Sequence, residues 1–121
     1  MTRHAAPPAT GDALDRTLQA LAEPTRRAVV GLLREGPQRA SEIADALAMS
    51  RQAMSRHLRV LRQAGVIQEV GAASPDDDAR ARTYRLEAQP LAELQSWLGE
   101  VQAFWGVQMQ AFGKQAERVA R

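Results

Sequence analysis

The 121 residues predict a mainly α domain that carries one small β-hairpin. Three observations predict it. Apolar residues recur at helical spacing in five segments. Two short β-prone runs, Val66 to Val70 and Arg82 to Leu86, bracket a turn-rich stretch after the fourth segment. Pro24, Gly36-Pro37, Gly65 and Pro90 fall at segment junctions, where a chain stops one element and starts the next.

In order along the chain, residues 1–11, rich in Ala, Pro and Thr, read as a disordered leader, and 12–118 as a single domain. Asp12 is placed to cap a first helix in which Leu14, Leu18 and Leu21 repeat at i, i+4 and i+7. Pro24 suits the first position of a second helix, running to about Glu35 with Val29, Leu32 and Leu33 inward. Gly36-Pro37 stops it. A short third helix, about 40–48, buries Ile43, Ala44 and Leu47. Ala48-Met49-Ser50 is a tight connection, and Ser50 is a good N-cap for a fourth helix over 51–64. Gly65 fits the left-handed position just past its end. After the hairpin, Pro90 opens a last helix that reaches about Lys114.

The fourth helix is the informative one. Between Ser50 and Gly65 there are four arginines and no acid. Arg51, Gln52, Ser55, Arg56, Arg59, Arg62 and Gln63 share one arc of its wheel; Ala53, Met54, Leu58, Val60, Leu61 and Ala64 fill the other. The whole chain is only +2, so removing this +4 leaves −2 elsewhere: the positive field is local. A local cationic face on a near-neutral body suits a module that enters a groove of double-stranded DNA. Guanidiniums, amides and a hydroxyl are the groups that phosphates and base edges pair with. A solvated helix face is the competing interpretation, but such faces tend to alternate sign to gain i, i+4 pairs.

Two helices joined by about three residues, the second one basic, form a helix-turn-helix, and the hairpin behind them makes the layout a winged one. Arg51, Gln52, Ser55 and Arg56, near the start of the fourth helix, are expected at base edges, and Arg59 at phosphate. Arg62 is read as either a phosphate contact or a solvent-facing residue. In the wing, Arg80 and Arg82 are expected to point at DNA, and the acidic tip Asp76-Asp77-Asp78 to bend away. His57 falls on the apolar arc and reads as a packed histidine with one bonded nitrogen.

The last helix holds both tryptophans and both phenylalanines. Its apolar stripe is broad, and a domain of this size has little core left to receive it. Leu94, Trp97, Leu98, Val101, Phe104, Trp105 and Phe112, with Leu14 and Leu18 of the first helix, are therefore read as the interface of a homodimer.

Several classes are excluded or left without support. With no cysteine there is no disulfide framework, thiolate nucleophile or thiol-ligated metal. Two histidines and no cysteine are too few soft ligands for a protein-built transition-metal site, and neither metal nor cofactor is expected. There is no glycine-rich phosphate loop and no His-carboxylate-nucleophile set, so no enzyme is expected. No apolar run is long enough to span a bilayer, and the first residues lack the apolar stretch of a signal peptide, so a cytoplasmic protein without membrane contact is the default. A winged helix serving purely as a protein-interaction module is the alternative function.

Three segments, Leu21-Ala-Glu-Pro-Thr-Arg-Arg27, Ser41-Glu-Ile-Ala44 and Met54-Ser-Arg-His-Leu-Arg-Val-Leu-Arg-Gln-Ala-Gly65, together resemble the arsenic-repressor-like (ArsR/SmtB) winged helix-turn-helix regulators. The resemblance covers about residues 12–112. It implies a homodimer joined through first and last helices, bound to an operator and usually repressing. Metal-sensing members carry a cysteine pair in the third helix, or Asp, His and Glu ligands in the last. This chain has no cysteine and no histidine after His57, which places it with a branch that senses no known metal; the effector is unknown.

Overall fold

The computed structural model describes residues 8–71 and 82–120, with side chains up to Ala111 and none before residue 12. The elements run α1 (Pro8–Leu21), α2 (Pro24–Leu33), β1 (Gln38–Arg39), α3 (Ala40–Ala46), α4 (Arg51–Gln63), β2 (Ile67–Val70), β3 (Thr83–Leu86) and α5 (Ala88–Ala120). This is a winged helix-turn-helix fold with two departures from the sequence-based expectation.

The first departure is at the start. Residues 8–11, expected in a leader, are helical, so Asp12 lies inside α1 and does not cap it. Pro8 takes the first position, where a missing N–H costs nothing. Residues 1–7 of the expected leader lie outside the described residues. The second departure is the sheet. The expected hairpin has a third strand, and the order is β1-β3-β2, all antiparallel. Gln38 pairs with Tyr84 and Arg39 with Thr83; on the other side of β3, Ile67 pairs with Leu86 and Glu69 with Tyr84. Two residues after a proline carry no alternating pattern, so β1 exists because β3 offers it a ladder. Gln38 Nε2 also donates to Leu32 O at the end of α2 (3.0 Å), which fixes where the strand begins.

The core is built by α1 to α4 and the sheet: Ala20, Val29, Leu33, Ile43, Ala44, Met54, Leu58, Leu61, Val66, Ile67 and Tyr84. No residue of α5 belongs to this buried set; Leu91 packs against it from outside, and α5 otherwise lies along α1. Pro90 falls at the third position of α5 rather than opening it. Its absent N–H is among the four that a helix start leaves unpaired in any case.

Candidate DNA-binding face

Local chemistry sets α4 in place. Ser50 is extended (φ −68°, ψ 155°) and its Oγ accepts from the Ala53 N–H at 3.1 Å, an N-cap worth about 1 kcal/mol. Ala48 takes the left-handed turn (φ 53°) that separates α3 from α4, and Gly65 takes the one (φ 78°) that ends α4. Met54, Leu58 and Leu61 are buried beneath the helix. Val60, grouped with them on the wheel, is about one-third exposed. The reason is the width of the face: the packed arc spans Met54, Leu58 and Leu61, and Val60 lies beyond its edge.

Opposite that anchor, Arg51, Gln52, Ser55, Arg56 and Arg59 are all exposed. Among the described residues no ion pair involves Arg51, Arg56 or Arg59. The exposed arc is divided in two. Gln52, Ser55, Arg56 and Arg59 line a shallow outward surface. Arg51 and Arg62 lie on the flank toward the wing, where with Arg59 and Arg82 they line a cavity.

Arg62 is tied down. Its Nη1 lies 3.3 Å from Glu69 Oε1 on β2, and Arg82 Nη1, just ahead of β3, lies 3.8 Å from the same oxygen. Arg85 faces along the sheet, donating to Glu87 (3.2 Å) and Gln68 (3.0 Å). Arg80 and the acidic tip at 76–78 lie outside the described residues.

A second cluster, unassigned by the sequence reading, supports α4 from behind. Glu23 caps α2, its carboxylate accepting from the Arg26 N–H at 3.0 Å. Arg26 turns back to donate to Ala20 O (2.6 Å) and Gln19 O (3.2 Å), and Arg27 donates to Leu21 O (2.7 Å). These are the orphan carbonyls at the end of α1, which guanidiniums satisfy well. His57 of α4 reaches into the cluster, its Nδ1 3.4 Å from Arg26 Nη1 and 3.6 Å from Glu23 Oε2. Partial burial pushes the Glu23 carboxyl up. The N–H groups of Arg26 and Thr25, the His57 ring and the Thr25 hydroxyl outweigh it and hold the pKa below the usual glutamate value. The Glu-Pro-Thr-Arg-Arg run is thus a junction of three helices. A signal was present, a capping acid, a proline at the first helical position and two cations one turn past a helix end, but its partners are distant.

On α5, Trp97, Leu98 and Val101 are 41–46% exposed, and Phe104 and Trp105 62% and 60%. Leu18 of α1 is also exposed, whereas Leu14 and Leu94 are half-buried; the Phe112 side chain lies outside the described residues. Among the described residues no three His, Asp or Glu side chains converge as metal ligands. No helix among them is long and apolar enough to cross a membrane.

A basic helix held outward on a compact core, behind a tight turn and beside a wing, defines a DNA-binding helix-turn-helix protein. Comparison with known proteins agrees. Residues 21–70 match the family model described as a helix-turn-helix domain. The chain is 38% identical over 91 residues to the HTH-type transcriptional regulator Rv2034 of Mycobacterium tuberculosis, covering 75% of this chain and 77% of that protein. It is 36% identical over 83 residues to the transcriptional repressor SmtB of the same organism, covering 69% of this chain but only 57% of SmtB. A crystal structure of an ArsR family transcriptional regulator superposes with a TM-score of 0.67 at 35% identity, over 78% of this chain and 97% of that one. The chain belongs to the ArsR family of helix-turn-helix transcriptional regulators, a family of DNA-binding proteins and not of enzymes.

Proposed function

We propose that the protein is a homodimeric repressor that places α4 in the major groove of a near-palindromic operator and excludes polymerase from the promoter. The observation that carries this is the acid-free face of α4, exposed on a helix whose other side is locked into the core. Within it, the outward group Gln52, Ser55, Arg56 is directed at base edges, with Arg59 at its margin on phosphate. Arg51, expected at a base, is better suited by its wing-facing flank to the phosphates beside the groove. Arg82 joins it from the wing, and Arg80 is assigned to the same strand of phosphates on its sequence position.

The dimer is inferred from α5. Its aromatic stripe finds no place in the core of its own chain, and a second copy related by a two-fold axis covers it with the same stripe. The two α4 helices then meet half-sites about one helical turn, roughly 34–36 Å, apart or a multiple of it. Repression is taken from SmtB, which is named a repressor.

Selection of bound fragments from a random duplex pool tests the reading. The expected product is an inverted repeat whose affinity falls steeply with salt, log K losing about 0.9 per phosphate contact for each decade of salt. Uniform retention of all sequences, or binding confined to acidic proteins, overturns it.

A further inference from the structure

The cavity between α4 and the root of the wing has a composition that duplex binding does not require. Met54, Leu58 and Tyr84 line it, all buried and, apart from the Tyr84 hydroxyl, apolar in their side chains. Its rim is Arg51, Arg59, Arg62 and Arg82, and no acid lines it among the described residues. We propose that this cavity binds a small organic carboxylate with a compact apolar body, and that its occupancy weakens duplex binding.

Three features support the class of ligand. First, size: the cavity is about 170 Å³, and about 150 Å³ of apolar space holds a benzene-sized molecule. Second, the arrangement is amphiphilic, an apolar floor under cations, as ligand sites commonly are. A phosphodiester runs along a surface and gains nothing from an apolar floor, whereas the body of a carboxylate does. Third, two of the rim guanidiniums already converge on a carboxylate: the single Glu69 Oε1 lies 3.3 Å from Arg62 Nη1 and 3.8 Å from Arg82 Nη1. Among the described residues only Arg62 and Arg82 of the four are paired with a carboxylate, which leaves Arg51 and Arg59 to meet another.

The antagonism rests on the reading of α4 as the DNA-binding helix. An anion held by Arg51 and Arg59 neutralises charges that otherwise meet phosphate, so ligand and duplex each weaken the other by the same factor.

The test separates the two parts. The full chain, labelled with ¹³C at its methionine methyls, is titrated with sodium benzoate at constant ionic strength, with benzamide and inorganic phosphate in parallel. The Met54 methyl is expected to shift saturably with benzoate, with a dissociation constant on the order of 1 mM, while Met109 on α5 stays still. Arg51→Ala combined with Arg59→Ala, both on exposed positions, is expected to weaken that response about tenfold or more. A Met54 methyl that ignores benzoate, or that responds equally to benzamide or to phosphate, overturns the site. In the second arm, benzoate at ten times its dissociation constant is expected to weaken binding of the selected duplex about tenfold, as mutual exclusion requires. Chloride at equal ionic strength should not. Methyl shifts with unchanged duplex affinity overturn the antagonism. If the chain binds no duplex at all, the DNA-binding reading falls, and the methyl titration still decides the carboxylate site.

Discussion

Two helices of this molecule present exposed faces, and they are exposed for opposite reasons. The outer face of α4 is cationic and hydrated, while its inner face is locked by Met54, Leu58 and Leu61. Water satisfies those guanidiniums, so the isolated chain loses nothing by showing them. On α5 the exposed apolar residues include Trp97, Leu98, Val101, Phe104 and Trp105, and among the described residues the helix only lays Leu91 against the buried core. Each such side chain, 41–62% exposed, forgoes about half of the roughly 1.5–3 kcal/mol that full burial gives. An exposed polar face needs a partner only for function; an exposed aromatic stripe needs one for stability as well.

The largest effect tests α5. Trp105→Glu puts a charge at the centre of the stripe and is expected to weaken self-association by about 2–4 kcal/mol, the range of a buried aromatic anchor. Sedimentation equilibrium reads it directly, and an unchanged dimer, or a wild-type chain that is monomeric well above micromolar, breaks the contrast. Next come the two halves of the α4 face. Arg56→Ala should relax preference at one operator position by about 1–3 kcal/mol, whereas Arg59→Ala should weaken all sequences alike and lower the salt slope by about one. Binding profiles over single-base operator variants separate them; identical profiles would remove the assignment of base and phosphate roles.

A smaller effect concerns how α4 is held. Ser50→Ala removes the cap to Ala53 and should cost about 1 kcal/mol in denaturant unfolding, without altering which operator positions are preferred. The smallest and most conditional effect is on pH. Glu23 has its carboxyl lowered in the folded chain, so its contribution is complete above the ordinary glutamate range. That contribution is lost as pH falls through the lowered folded value. Glu23→Gln should flatten this part of the acid unfolding profile, and a profile superposing on that of the wild type would show the cluster to be electrostatically idle.

The parts of the fold legible in the sequence are those set by neighbours in the chain. Ser50, the apolar triplet of α4 and Gly65 mark a helix start, face and end within sixteen residues, and the helix runs between those marks. Strand β1 was not legible, because Gln38 and Arg39 become a strand only by pairing with Thr83 and Tyr84, more than forty residues away. Arg26 carries no role that its neighbours in the chain define. Its role depends on carbonyls of the preceding helix and on His57, thirty-one residues further on. Residues 8–11 were misread because a proline- and alanine-rich segment carries no apolar stripe, yet Pro8 starts a helix as readily as it ends one.

Composition and periodicity alone were enough to specify which helix would be cationic and which would be aromatic, since both properties belong to side chains and to the 3.6-residue repeat. Tertiary structure decided how the cationic arc is shared between an outward surface and a wing-facing flank. It also decided that a single glutamate on β2 would restrain one arginine of that arc, Arg62, together with Arg82 of the wing, and that the buried core would close with only Leu91 of α5 against it. Those outcomes depend on distances between segments remote in the chain, and such distances arise only when the backbone has folded and the elements compete for the same buried space.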